Sequence, residues 1–263
     1  MNGKVFVVTG ITGGNGGAVS KELLRRGFSV IGVGRNVKKI QRFECWAKQM
    51  GLEQRLDVVR ADLSYETDRQ RIIRQVENLG CPIAGVFHLA GRALFGNPEA
   101  EKVTAFEQSD FYGPVALMKA LLPFIAEQGI ISVNTSGAAR INASTYPHYC
   151  RVKQWMEEWC DEMRLDSMVQ EHQISMTLIL MGVIATQIWD VPDHGVQPWM
   201  SRAIKAFMPS AERCAPKIVA DSFDRRMESH VGRLASVIAH SPAFVLRGME
   251  SLVDLTIKTT IDY

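Results

Sequence analysis

Short apolar runs alternate along the chain with longer stretches in which apolar residues recur every three or four positions. The runs are Val5 to Thr9, Ser29 to Val33, Asp57 to Arg60, Ile83 to His88, Ile130 to Thr135 and Ser175 to Leu180. Most are apolar almost throughout, with little apolar/polar alternation, which is the pattern of parallel strands covered on both faces. The intervening stretches predict helices over Gly16 to Arg26, Val37 to Met50, Tyr65 to Leu79, Ala105 to Glu127, Tyr149 to Val169 and Ala211 to Glu228. Strands alternating with helices through short loops predict an α/β fold with a parallel sheet sandwiched between helical layers.

The pattern changes after Met181. Residues 182–209 carry Trp189, Pro192, Pro198, Trp199, Met200, Phe207 and Met208 without a clear strand. Following the last readable strand, such a stretch is expected to cover a site at the carboxyl edge of the sheet. Residues 210–263 read as mainly helical, with breaks at Pro242 and Gly248, and no final strand can be read from His230 onward. No repeat, low-complexity tract or linker interrupts residues 1–263, so one domain is expected.

Composition narrows the partners. A net charge of +2 with scattered Lys and Arg gives no field for nucleic acid or an anionic membrane. Five cysteines, without a Cys-x-x-Cys pair, argue against a disulfide framework or zinc site and fit a reducing cytoplasm. The histidines form no ligand-spaced cluster, and no metal is expected. The first strand begins almost at the N-terminus, leaving no room for a signal peptide, and no apolar run approaches the ~18–20 residues that span a bilayer. A cytoplasmic protein without a transmembrane segment is therefore expected.

The chemistry is concentrated at two places. The first strand runs into Thr9-Gly10-Ile-Thr12-Gly-Gly14-Asn15-Gly16-Gly17, after which a helix opens. Glycines permit a tight turn and close approach to a diphosphate, and the helix start offers unpaired N–H groups and positive potential. The spacing Gly-x-x-x-Gly-x-Gly differs from Gly-x-Gly-x-x-Gly and lacks the Lys-Ser/Thr end of a P-loop. The second strand ends at Gly34-Arg35-Asn36, without the acid that would bind a ribose 2′-hydroxyl. Arg35, with Lys38 and Lys39 nearby, suits a 2′-phosphate and favours NADP(H) over NAD(H). Asp62, followed by Leu63, is placed to bond an adenine amino group, and Ala90-Gly91 supplies small residues where backbone runs close to the cofactor.

At the second place Tyr149 and Lys153 stand four apart and share one helical face. Ser136 lies at the end of the fifth strand, so its hydroxyl could join Tyr149 in binding and protonating a carbonyl oxygen. Tyr146 lacks this partner, since Cys150 stands four residues after it. His148 and Cys150 point elsewhere on the helix and read as structural.

Taken in order, these pieces resemble the short-chain dehydrogenase/reductase family over about residues 3 to 190. The resemblance implies a single doubly wound Rossmann-type domain with strand order 3-2-1-4-5-6 and a seventh strand left open. It casts Ser136, Tyr149 and Lys153 as the catalytic set. Gly10, Thr12, Gly14, Asn15, Gly16, Arg35, Asp62, Leu63, Ala90 and Gly91 fall on the cofactor site, joined by Gly182, Val183 and Thr186 in the segment after the sixth strand. It implies hydride transfer between NADP(H) and a carbonyl or secondary alcohol, with Tyr149 as acid or base. A phenol needs roughly 4 kcal/mol of selective phenolate stabilisation to move about 3 units toward neutrality. Lys153 and an oxidised nicotinamide are the expected sources.

Three residues depart from the family pattern: His88-Leu89-Ala90-Gly91 replaces Asn-Asn-Ala-Gly, Met181 replaces a Pro, and Asp110 occupies the place of a fourth catalytic residue, an Asn. The family's equivalent helix often forms a dimer interface, so Val152, Trp155, Trp159 and Met163 imply a homodimer or homotetramer. Aromatic and Met residues in 182–209 suggest an apolar small-molecule substrate. Two other functions fit the same fold: a non-redox epimerase, dehydratase or cyclase, and a cofactor-binding regulator or scaffold without turnover.

Overall fold

In the computed structural model of the chain, which describes residues 3–96, 98–141, 144–182, 206, 208–232 and 235–241, the expected runs all become strands. They are β1 (Val5–Thr9), β2 (Ser29–Gly34), β3 (Leu56–Arg60), β4 (Ile83–His88), β5 (Ile125–Ser136) and β6 (Ser175–Met181). A seventh, β7 (Glu228–Val231), completes a parallel sheet of order β3-β2-β1-β4-β5-β6-β7.

Alternation along β1 shows why its sequence is apolar throughout. Val5 and Val7 enter the core formed with α3 (Glu66–Glu77), α5 (Gly113–Leu121) and α6 (Pro147–Arg164). Phe6 and Val8 enter the opposite core, with α1 (Gly14–Arg25), α2 (Val37–Gln49) and α8 (Ala211–Phe223). Each such side chain contributes about 1.5–3 kcal/mol by leaving water. Chain order reverses between β1 and β4, which opens a crevice above their carboxyl ends.

The helix expected over Ala105 to Glu127 is divided into α4 (Ala100–Glu107), a π-helical turn (Gln108–Tyr112) and α5, which leads through a short turn into β5. Pro114 has no N–H to give the carbonyl of Asp110 four residues earlier, so a regular ladder cannot pass this point. Pro123 ends α5 in the same way. The helix expected over Tyr149 to Val169 is α6 followed by α7 (Ser167–Glu171), where Asp166 caps the amides of Met168 and Val169. The helix expected over Ala211 to Glu228 stops at Phe223, and its last residue belongs to β7 instead. A final helix described here is α9 (Ala235–His240).

Three non-glycine residues with left-handed backbone lie at the amino ends of β5, β6 and β7: Gln128, Gln173 and Arg225, with φ of +58°, +52° and +58°. Arg225 joins them, donating to the carbonyl of Gln128 at 2.9 Å and to that of Gln173. Arg225→Ala keeps the unfavourable φ and removes both charged hydrogen bonds. It should lower stability by about 1–2 kcal/mol, read as a lower urea midpoint with an unchanged slope.

Candidate active site

The crevice holds a cleft of about 420 Å³. Its floor is the glycine turn. Gly10 has φ +80°, and a side chain there would put Cβ 2.7 Å from the amide of Ala90. This glycine therefore lets the end of β1 meet the loop that follows β4. Gly16 lies beneath it: a Cβ at Gly16 would come within 2.2 Å of the Gly10 carbonyl, so α1 can start against the turn only without one. Gly13 is the N-cap of α1, with no side chain bonded to the cap and no acid in the first turn. With Gly13, Gly14 and Asn15 lining the cleft, the helix start presents free donors to an anion.

Thr9 fixes the opposite wall. Its hydroxyl accepts from the amides of Leu89 and Ala90, each at 3.2 Å, and lies 2.8 Å from His88 Nδ1. With both lone pairs occupied, the Thr9 proton goes to Nδ1, which places the His88 proton on Nε2. That atom is buried and has no partner among the described residues. Burial first, and the charge of Lys153 second, hold the His88 pKa down at about 3, so the ring is neutral.

At the far end, α6 presents Tyr149 and Lys153 to the cleft. Lys153 is 1% exposed, and its Nζ donates to the carbonyl of Asn134 at 3.3 Å and lies 5.8 Å from the Tyr149 ring centre. Burial lowers its pKa, and Asp110 opposes that. The Tyr149 hydroxyl is hydrogen-bonded to Ser136, whose Oγ also accepts from the amide of Ala138 at 3.2 Å. Together the residues around Tyr149 raise its pKa and do not lower it. Burial pushes it up to about 12, with Asp110 adding to the rise and the Ser136 bond opposing it.

Asp110, 3% exposed in the π-helical turn, accepts from the Arg92 amide at 2.7 Å and from Arg92 Nε at 3.1 Å. Elsewhere on the cleft wall, Arg35 Nη1 lies 3.1 Å from Asp62 Oδ2, while Asp62 Oδ1 accepts from the Ser64 amide.

Comparison with known proteins agrees with this arrangement. The family model for short chain dehydrogenases matches residues 4–194. The chain belongs to the short-chain dehydrogenase family. It is 26% identical over 192 residues to hydroxysteroid 11-beta-dehydrogenase 1-like protein A of Xenopus laevis, covering 71% of this chain and 66% of that protein. The chain thus spans about two thirds of that relative's length. In fold it resembles a short-chain dehydrogenase from Sphingobium yanoikuyae in complex with NADPH, with TM-score 0.74, 16% identity and coverage of 86% and 87% of the two chains. It likewise resembles a short chain dehydrogenase/reductase from Burkholderia phymatum in complex with NAD, with TM-score 0.77, 18% identity and coverage of 86% and 88%.

As in a short-chain dehydrogenase, the motifs converge. Gly10, Thr12, Gly14, Asn15, Arg35, Asp62, Leu63, Ala90, Gly91, Asp110, Tyr149 and Lys153 all line the cleft. Gly16 supports it from behind, and Ser136 reaches it through Tyr149. Gly182 is not among the lining residues; its amide bonds the Val231 carbonyl at 2.8 Å and ties β6 to β7. Val183, Thr186, Trp189, Trp199, Met200 and Phe207 lie outside the described residues. Sequence reasoning missed Asn134, Arg92 and Ser109, which also line the cleft. Asn134 was within reach of a period-2 argument, since it stands two before Ser136 on the same face of β5.

Arg140 holds this end together. It pairs with Glu157 on α6, one turn beyond Lys153, at 3.4 Å, and with Glu228 on β7 at 2.5 Å. Thr135, beside Ser136, donates to Glu157 at 3.0 Å.

His88 makes a pH-dependent contribution to stability. Its folded pKa lies below the ordinary 6.5, so its contribution is complete above pH 6.5 and is lost as pH falls toward about 3. His88→Asn, which can still accept from Thr9, should remove about 2–3 kcal/mol of the stability lost between pH 7.5 and pH 4.5. Urea midpoints of both proteins at the two pH values check this.

Proposed function

We propose that this short-chain dehydrogenase is an NADP(H)-dependent ketoreductase or alcohol dehydrogenase of apolar small molecules, with Tyr149 as its proton donor or acceptor. The observation that carries the reading is the meeting, in one cleft, of an uncapped helix start with the Tyr149–Lys153 pair. The residues fit the cofactor along its length. The α1 amides suit a diphosphate, Asp62 and Leu63 the adenine, and Arg35 and Lys39 at the cleft edge a 2′-phosphate. Nicotinamide, when bound, supplies or accepts a hydride at the carbonyl carbon.

The chain's own residues handle the oxygen. Ser136 and Tyr149 would hold it, and a phenol whose pKa is about 12 remains protonated at neutral pH. Phe95, Ile141 and Tyr146 pack beside Tyr149 as an apolar cluster, and the apolar substrate rests on the aromatic and Met residues of the sequence after Met181. The Xenopus relative's name points to a hydroxysteroid, one substrate of that kind.

Oligomerisation through α6 is narrower than the sequence pattern suggests. Val152, Trp159 and Met163 are buried in the chain's own core. Trp155, tilted against Phe111 and the exposed Tyr112, is what remains for a second copy, and a homodimer or homotetramer through this patch is part of the proposal. Among the described residues no helix is long and apolar enough to cross a membrane; a cytoplasmic location remains part of the reading.

Titration with NADPH and NADH, followed by tryptophan fluorescence, tests the cofactor assignment. NADPH should bind the more tightly, and Arg35→Glu should weaken NADPH by about 10–100-fold while sparing NADH, the loss of a charged hydrogen bond. An unchanged preference would remove the 2′-phosphate assignment. In a carbonyl screen with NADPH, Tyr149→Phe should lower turnover by about 10²–10⁴-fold with NADPH affinity kept. Retained turnover would rule out its acid/base role.

A further inference from the structure

Position 110 carries a charged side chain in a place almost closed to water, 3% exposed. Its carboxylate does not stand alone. Oδ1 accepts from the backbone amide of Arg92 at 2.7 Å, and Oδ2 accepts from Arg92 Nε at 3.1 Å and from the Ser109 hydroxyl. The guanidinium is itself oriented by the Ala105 carbonyl at 3.0 Å and by Ser109 Oγ at 2.7 Å. One residue thus gives the carboxylate both a main-chain and a side-chain donor, a two-point grip that fixes the backbone as well as the charge.

The backbone so fixed is the part of the loop that borders the catalytic cluster. A Cβ placed on Gly91 would lie 3.4 Å from Lys153 Nζ, 3.7 Å from Asn134 Nδ2 and 3.7 Å from Asp110 Oδ1. Gly91 therefore has these three groups close around it, and a slip of the loop changes their spacing. The groups facing Lys153 are Asp110 from the π-helical turn, neutral His88 from β4, the Asn134 carbonyl from β5, and Tyr149 from its own helix.

We propose that Arg92 is a positioning residue of this site: its ion pair with Asp110 locks the Gly91–Arg92 backbone beside the Lys153 ammonium, and makes an acid workable at position 110. This rests on the reading of the cleft as a dinucleotide site. Without the Arg92 side chain the buried carboxylate keeps only Ser109 and the backbone amide at 92, and its two-point hold on the loop is reduced to that one main-chain bond. With an amide at 110 the guanidinium is no longer required, so the two substitutions compensate.

The test is a double-variant cycle read by NADPH binding. Wild type, Arg92→Ala, Asp110→Asn and the double variant are titrated well below the thermal midpoint of the weakest. Arg92→Ala should weaken NADPH by about three- to ten-fold, the loss expected when a buried carboxylate loses a half-exposed partner. The double variant should recover to within about three-fold of Asp110→Asn. Arg92→Lys, which keeps the charge without the fork, should fall between wild type and Arg92→Ala and guards against poor folding of the alanine variant. Additive effects would overturn the proposal, as would a lowered thermal midpoint with NADPH affinity unchanged, the signature of a purely structural pair. Wild type that binds neither NADPH nor NADH would instead defeat the dinucleotide reading and the proposal with it.

Discussion

The ammonium of Lys153 is almost sealed from solvent, and much of the site is arranged around that one buried charge. An isolated charge in such a place costs several kcal/mol unless it is solvated from within. The Asn134 carbonyl does part of this as a direct acceptor, and the carboxylate of Asp110 does more at longer range. The same charge forbids a second cation nearby, which is one reason His88 stays neutral. Gly91 lies beside three of these groups, Lys153, Asn134 and Asp110. Four elements that are remote in sequence are thereby tied into one electrostatic unit.

Delivery of those groups depends on backbone features with identifiable causes. Reversal of chain order between β1 and β4 opens the crevice, and the Thr9 hydroxyl pins the loop after β4 along its edge. The π-helical turn that carries Asp110 sits where Pro114 interrupts the helical ladder, and such turns are frequent at functional sites. The helix bearing Tyr149 and Lys153 is held in rotation by Glu157, which receives Thr135 from the strand end that carries Ser136 and Arg140 from the turn just after it. Ser136 and Tyr149 are thus kept in register by bonds that do not involve either hydroxyl.

What could be read in advance follows the physics of each element. β1 to β6 were legible because most of them are buried on both faces and must be apolar. β7 is Glu-Ser-His-Val, polar and short, and its place comes from tertiary partners: Ser229 donates to Asp221, and Glu228 receives Arg140. No local pattern announces such a strand. Pro114 and Pro123, by contrast, were visible signs that a helix over Ala105 to Glu127 would break. The apolar stripe on α6 was correctly seen, but periodicity reports a buried face without saying what buries it, and here most of it meets the chain's own core. In the site, the Tyr149–Lys153 spacing and the glycine turn are local and were readable. Arg92 with Asp110 is a contact between a loop and a distant turn, and appears only on folding.

The two proton-carrying groups of the cluster are moved in opposite directions by the same burial. Their ordinary values are close, 10.0 for a tyrosine and 10.5 for a lysine. Enclosure penalises phenolate and ammonium alike, so the tyrosine rises to about 12 while the lysine falls. The order is thereby inverted: a proton on Lys153 is held less firmly than one on Tyr149. In the proposed reduction, Tyr149 gives its proton to the new alkoxide and is left as a phenolate that the enclosed site disfavours. The neighbouring ammonium is then the better acid, and return of a proton toward Tyr149 runs downhill. Asp110 moderates this by supporting the ammonium, and it also resists the phenolate. A carboxylate at that position therefore strengthens the preference for a protonated tyrosine, so the departure from the family's amide bears on the electrostatics of the cluster as well as on the geometry of the loop.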